Sequence, residues 1–276
     1  MVKSKKYLRT ITTIPDNLWN EIKNILPDEK PENTIGRPIV PYRKVFDGIV
    51  FVLRTGCQWK MLPQEYGSGS TCHRRYQEWR ESGLFDKLWT RLLKLYDFKI
   101  GIKWDWQSLD SIPIKSPLGG AMTDGHNPTD RSKLGSKRHI LTDKEGITLS
   151  TFITSANTHD VTVAINTIDN IVVKRPSSKK HKQKKENVCL DKAYHSKEVE
   201  QEILKRGYIP HIRHRREEKI FRKKHPAARR WVVERTNSWH NRFRKLFTRY
   251  EKKDENYFGL VELANSLIIY RRLILG

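Results

Sequence analysis

The chain has 276 residues, with 54 Lys and Arg against 31 Asp and Glu, a net charge of +23, and a hydrophobic fraction of 37% that includes eight Trp. That apolar content excludes a disordered basic tail, and no run approaches the roughly 18–20 apolar residues that cross a bilayer. We therefore expect a soluble cytoplasmic protein without a signal peptide or a membrane partner, whose main partner is a polyanion.

The first hundred residues show helical periodicity. Asp16 is the predicted N-cap of a first helix, and a second helix is predicted to end at Gly56. A Ser or Thr within 67–71 is predicted to cap a third helix that carries Arg74 and Arg75 in its first turns. A short turn before an Arg-bearing helix is typical of a helix-turn-helix DNA reader, although small helical bundles show it too.

The periodicity changes near residue 98. Strands are predicted at 104–109, 137–143, 147–154, 187–190 and 208–212, and helices after Asp160 and over 196–205, 227–247 and 257–273. This alternation predicts a mixed α/β sheet domain over residues 98–276, preceded by an all-α domain over residues 1–97.

Three carboxylates are candidates for chemistry. Asp110 and Asp191 each follow a predicted strand, and strand ends are where α/β folds place functional side chains, although a turn or capping role is the simpler alternative. Glu234 lies on the helix predicted over 227–247, where an ion pair with Arg230 is the simpler alternative. Three carboxylates together need a counter-charge. Two Mg²⁺ or Mn²⁺ ions would supply it and would suit phosphodiester chemistry.

The positive charge is concentrated near two of these carboxylates. Residues 174–253 hold 27 basic and nine acidic side chains, which is +18 of the total +23. Part of it is the run 174–185, which is typical of a solvated loop that would contact phosphate if DNA passed nearby.

Several ordered blocks of the chain resemble the DDE transposases of bacterial and archaeal insertion sequences. They are IPDNLWNEIKNILP, FDGIVFVLRTGCQWKMLPQEYGSGSTCHRRYQEW, TDRSKLGSKRHILTDKEG, SANTHD, LDKAYHS and RRWVVER. The resemblance covers nearly the whole chain. It implies a ribonuclease-H-like catalytic core preceded by a helix-turn-helix-like domain that recognises transposon ends.

The resemblance also implies roles for individual residues. Asp110, Asp191 and Glu234 would be the catalytic residues and would bind the metal ions. The residues expected to contact DNA are Arg74, Arg75, Lys137, His139, Lys192, Arg230, Arg235, Arg242 and Lys245. Asn157, His159 and Asp160 would line or support the site. The family's Tyr and Lys positions on the last catalytic helix hold Ala227 and Asn241 in this chain.

The implied reaction is metal-dependent DNA cleavage at terminal inverted repeats, followed by strand transfer into target DNA by a nucleoid-associated homodimer. Two alternatives stay open: a domesticated, non-catalytic DNA-binding regulator, and a metal-dependent DNA nuclease without strand transfer. A zinc site built from Cys189, His211, His214 and His225 is disfavoured, because their spacing matches no standard site.

Overall fold

The computed structural model describes residues 13–29, 31, 39–119, 122–175, 186–212 and 229–275. Most of the basic run 174–185 lies outside these residues, as do Ala227, His214 and His225. The predictions that concern them stay predictions. None of the helices in the described ranges combines the length and hydropathy of a membrane-spanning segment.

Four helices precede the sheet and three of the later helices follow it. The helices are α1 (Asp16–Lys23), α2 (Tyr42–Thr55), α3 (Gly69–Glu81), α4 (Leu84–Lys99), α5 (Ala164–Asp169), α6 (Lys197–Lys205), α7 (Trp231–Asn241), α8 (Arg244–Phe247) and α9 (Asp254–Leu275). The strands are β1 (Trp106–Lys115), β2 (Gly125–His126), β3 (Leu134–Asp143), β4 (Thr148–Ser155), β5 (Glu186–Leu190) and β6 (Tyr208–His211).

The N-terminal helices form where the sequence predicts them, with one local correction. α2 ends at Gly56, whose φ of +74° is a left-handed conformation that Gly adopts without a steric penalty. The Ser68 hydroxyl caps α3 by accepting a backbone hydrogen bond. The prediction that Asp16 caps α1 is wrong. Pro15 holds the cap position, and Asp16 is the first helical residue, where it pairs with Arg43.

The sheet is mixed, as predicted. β3 is antiparallel to β1 on one edge and to β4 and the short β2 on its other edge, while β1, β5 and β6 are parallel neighbours. The helical region followed by this mixed sheet confirms the predicted fold class of an all-α region before a mixed α/β sheet domain.

β1 differs from its predicted bounds in a way that moves Asp110. The strand runs to Lys115, because β3 pairs with it as far as the Lys115–Gly135 position. Asp110 therefore lies inside β1 and not after it, which corrects the prediction. The parallel pairing with β5 nevertheless stops at Leu109 and Leu190, so Asp110 stands just past the end of that pairing.

The helix predicted over 227–247 is interrupted in its described part. α7 ends at Asn241, and Phe243 is extended, with φ −87° and ψ 94°, before α8 begins. Phe243 is buried, and its ring lies 3.9 Å from the guanidinium carbon of Arg54 on α2. This tertiary contact with the N-terminal helices accompanies the break.

One apolar core joins the N-terminal helices to α9 and to one face of the sheet. It includes Leu53 of α2, Leu92 of α4, Leu149 of β4 and Ala264 of α9, all fully buried. A second core lies on the opposite face, where α5 and α6 pack on the sheet. The helical region and the sheet thus share packing, and a domain boundary between residues 97 and 98 stays a prediction.

Candidate active site

Asp110 and Asp191 are brought together by two neighbouring parallel strands. Leu109 of β1 is paired with Leu190 of β5, and each Asp is the next residue in its chain. Asp191 then begins the short 3₁₀ helix Lys192–Tyr194, and its carboxylate accepts a hydrogen bond from the backbone N–H of Lys192. The two carboxylates consequently occupy adjacent positions on rigid backbone.

Glu234 approaches the same point from α7. The helix lies against β1, where the hydroxyl of Ser108 donates to the carbonyl of Arg229 at 3.2 Å. The pKa of Asp110 is raised to about 6, chiefly by burial, with the negative charges of Asp191 and Glu234 adding to the rise and Arg230 opposing it. All three carboxylates therefore belong to one electrostatic neighbourhood.

Arg230 supplies the positive charge in this neighbourhood. Its guanidinium forms an ion pair with Asp191 at 2.5 Å, one turn before the exposed carboxylate of Glu234. The simpler alternative predicted for Arg230 was a pair with Glu234 on the same helix. The observed pair joins α7 to the end of β5 and holds Asp191 in place.

The donor set fits a divalent cation by its chemistry. Three carboxylates offer the hard oxygen ligands that Mg²⁺ and Mn²⁺ prefer, and burial, the main cause of the raised pKa of Asp110, disfavours its charged form unless a cation pairs with it. Within the described ranges, however, no three His, Cys, Asp or Glu side chains are close enough to hold an ion in the present conformation. A cation at this point would compete with Arg230 for the carboxylate of Asp191.

A polar network lies on the opposite face of the sheet. Side chains alternate along a strand, so Ser111 and the paired His139 point away from the face of Asp110. Asp160 accepts hydrogen bonds from the Ser111 hydroxyl at 3.1 Å and from the Lys137 ammonium at 3.2 Å. Lys137 also donates to the carbonyl of Thr158 at 2.8 Å. This network therefore holds the backbone next to Asp110 from the opposite face of the sheet.

His139 is not placed to contact DNA in this conformation. It is fully buried, and its ring nitrogens lie 2.9 Å from the Thr154 hydroxyl and 3.3 Å from the Tyr194 hydroxyl. Burial lowers its pKa to about 4. In this conformation His139 therefore supports the site and does not contact phosphate. Lys137 is largely covered and paired with Asp160, so it also has a supporting position.

The predicted DNA contacts after β5 differ in how far they are exposed. Three of them are exposed: Lys192 next to Asp191, Arg230 in its pair with Asp191, and Arg242 just after the end of α7. Lys245 is buried and pairs with Glu251 at 3.3 Å, because the break after α7 turns it inward, so a direct phosphate contact is not supported for it. Arg235 lies between the rings of Trp231 and Trp239, and its guanidinium donates to the carbonyl of Glu145.

The predicted reader helix α3 presents a narrow polar face. Arg74 is exposed and pairs with Glu78 at 3.0 Å, while Arg75 is partly covered and pairs with the same Glu at 2.7 Å. Arg75 also lies over the ring of Tyr42. Of the two, Arg74 has the freer approach to a DNA groove.

Sequence reasoning missed the Ser111 and Tyr194 hydroxyls as parts of the supporting network. Ser111 lies beyond the predicted end of β1 at residue 109, and its place opposite His139 comes from the pairing of β1 with β3, so no local signal indicated it. Of the zinc candidates, Cys189 and His211 are paired neighbours on β5 and β6, and His214 and His225 lie outside the described residues. Cys189 is buried in β5, and His211 bonds to the amide oxygen of Asn187 at 2.9 Å.

Comparison with known families gives two matches that together cover most of the chain. Residues 107–269 match the family described as "Transposase DDE domain". Residues 14–89 match a family described as transposases of the IS4/5 family.

Individual relatives agree with these matches. The chain is 36% identical over 163 residues to a protein named as a transposase for insertion sequence element IS402 of Burkholderia cepacia, covering 58% of this chain and 74% of that protein. It is 38% identical over 119 residues to the 16.2 kDa protein of the same element, covering 42% of this chain and 80% of that protein.

Among solved structures, a pre-cleavage Mos1 transpososome aligns with 89% of this chain and 82% of that chain, at 13% identity and a TM-score of 0.30. A Mos1 paired-end complex with Mn aligns with 90% and 83% at a TM-score of 0.29. Scores this low do not establish a shared fold.

Proposed function

The chain belongs to the DDE transposases, and from this membership we propose that it binds the terminal inverted repeats of its element and cleaves and joins DNA through Asp110, Asp191 and Glu234. The observation that carries the proposal is the parallel register of β1 and β5. It sets Asp110 and Asp191 at adjacent positions, with Glu234 of α7 in the same electrostatic neighbourhood.

The three carboxylates would hold two Mg²⁺ or Mn²⁺ ions. Bound there, the ions would activate the attacking oxygen and stabilise the leaving oxygen of a phosphodiester in in-line displacement. Asp110 is the most buried of the three, and its raised pKa favours exchange of a proton for a cation. Arg230, released from Asp191 by that exchange, would be free to pair with a DNA phosphate.

The positive charge around the site would hold the DNA backbone. Lys192 and Arg242 are exposed and would pair with phosphates without sequence preference. Discrimination of the terminal repeat would fall to α3 and its exposed Arg74. Joining two DNA ends in one complex would require a homodimer.

Asp191→Asn tests the catalytic proposal. The substrate is a set of labelled duplexes cut from genomic DNA on either side of the gene, incubated with the full chain and Mg²⁺. We expect the variant to bind these duplexes as the wild type does and to cleave them more than about a hundredfold more slowly, since a metal ligand is removed. EDTA should abolish wild-type cleavage.

Asp105→Asn is the matched control, because Asp105 is an exposed acid that pairs with Lys144 before β1. It should cleave at the wild-type rate. Full activity of Asp191→Asn would refute the catalytic assignment. Supplying an acceptor duplex separates the alternatives: joined products indicate strand transfer, cleavage alone indicates a nuclease, and binding without cleavage indicates a regulator.

A further inference from the structure

Residues 242–253, which join α7 to α9, present aromatic rings and cations to solvent. The exposed residues of this 242–253 segment are Arg242, Arg244, Phe247, Tyr250, Lys252 and Lys253. Phe247 is 63% exposed and Tyr250 is 50% exposed. Exposed aromatic rings beside several cations suit a partner that offers both apolar and anionic groups, so this segment is a candidate for binding.

The segment has a fixed backbone. The guanidinium of Arg249 is fully buried and donates to the Thr123 hydroxyl at 2.6 Å, to the Ser136 hydroxyl at 2.8 Å and to the carboxylate of Asp254. The Arg249 N–H donates to the carbonyl of Lys115 on β1 at 2.8 Å. The exposed rings are therefore held in place before any partner binds, which lowers the ordering cost of binding.

The segment also connects α3 and its neighbours to the sheet. The indole N–H of Trp59 donates to Glu251 at 3.3 Å, and the ring of Trp59 stacks on His73 of α3. Three residues before Glu251, Thr248 bridges to Lys115, which is five residues from Asp110 on β1. Five residues of extended strand span roughly 17 Å, or about five base pairs of duplex.

We propose that the 242–253 segment binds the duplex of the transposon end, between the part contacted by α3 and the scissile phosphate. Its cations contact phosphates, and Phe247 and Tyr250 contact the bases or sugars. This inference rests on the proposed function, because it assumes that one duplex reaches both α3 and Asp110.

The positive charge of the 242–253 segment favours DNA over a second protein as its binding partner. The segment carries four exposed cations, and its acidic residue, Glu251, is buried and paired with Lys245. A second copy of the chain carries +23 itself and would be repelled by this surface. A duplex offers both the phosphates and the apolar groove that the rings require.

The first test replaces the rings. Phe247→Ala with Tyr250→Ala is made in the Asp191→Asn chain, so that DNA stays intact, and binding to the end duplex is measured by fluorescence anisotropy. We expect affinity to fall about 10- to 100-fold, the decrease typical of removing aromatic side chains that stack on bases. Phe98→Ala is the matched control, because Phe98 is 88% exposed on α4, and its affinity should equal that of the parent.

The second test replaces two cations. Log affinity falls as log salt concentration rises. Lys252→Ala with Lys253→Ala should make this decline shallower by about two in slope, one for each phosphate that is no longer neutralised. Lys94→Ala with Lys99→Ala, two exposed cations of α4, should leave the slope unchanged. The parent chain should also change the fluorescence of 2-aminopurine placed about five base pairs inside the cleavage position, and the ring variant should not produce that change.

The outcomes separate this inference from the catalytic proposal. Equal affinities for the ring variant and Phe98→Ala would overturn the inference, whether or not Asp191 proves catalytic. A change of oligomeric state by light scattering, with DNA affinity unchanged, would assign the segment to a second copy and also overturn it. Wild-type protein that binds but does not cleave, together with weaker binding by the ring variant, would refute the catalytic proposal alone.

Discussion

Glu262→Gln should stabilise the protein in a pH-dependent manner. Glu262 lies on α9 inside the shared core, with an exposed fraction of only 8%. Its pKa is raised from 4.5 to about 8, chiefly by burial, with the nearby carboxylate of Asp86 adding to the rise and Arg80 opposing it. The folded chain therefore keeps Glu262 protonated at pH values where the unfolded chain releases the proton.

The sign and size of the effect follow from this difference. A raised carboxyl pKa leaves stability intact below about pH 4.5 and removes it as the pH rises towards about 8. At 1.36 kcal/mol per unit, the wild type loses up to about 3 kcal/mol at pH 7 and about 5 kcal/mol above pH 8. Gln carries no charge to desolvate and keeps the shape of Glu, so the variant should avoid this loss.

Urea unfolding at pH 5 and pH 7 measures the effect. The stability difference between Glu262→Gln and the wild type should grow by about 2–3 kcal/mol between the two pH values. Glu255→Gln is the control, since Glu255 is an exposed carboxylate on the same helix. A difference that does not vary with pH, or a variant equally destabilised at both, would refute the assignment of a buried, protonated Glu262.

Three further outcomes are expected. Gly69→Ala should fold poorly or lower the melting temperature sharply, because its Cβ would lie 1.8 Å from the carbonyl oxygen of Trp59, and circular dichroism melts would detect this; an unchanged melt would contradict the close packing. Arg74→Ala with Arg75→Ala should reduce the affinity ratio of end duplex over random duplex, measured by competition binding, and an unchanged ratio would exclude α3 as the reader. Asp160→Asn should lower stability by about 1–3 kcal/mol in urea, because the Lys137 ammonium loses its partner; a smaller change would show that the network is dispensable for folding.

The sequence predicts the β5 end of the site well. A short apolar run followed by Asp191 marks a buried strand and its end, and the structure has both at these positions. The position of Asp110 within β1 was not predictable in the same way. The continuation of β1 depends on pairing with β3, which is about 30 residues away along the chain, and local propensity does not encode that partner.

Other differences arise from long-range contacts of single side chains. Arg230 pairs with Asp191, which is 39 residues away along the chain. The local spacing on the helix instead indicates Glu234 as the partner of Arg230. The burial of Lys245 follows from the break at Phe243, whose ring packs under Arg54 of a helix nearly 190 residues earlier. Helical periodicity continues through this stretch of sequence and gives no sign of the break.

The apolar core shared by α2, α4 and α9 has a consequence for biosynthesis. About 200 residues separate the end of α2 from the start of α9. At roughly 5–20 residues per second, the early helices wait about 10–40 s on the ribosome with part of their apolar faces uncovered. Nascent chains in that interval are candidates for chaperone binding and for aggregation. A translation product that stops before α9 could not complete this core, so interrupted synthesis is expected to leave no stably folded N-terminal helical region.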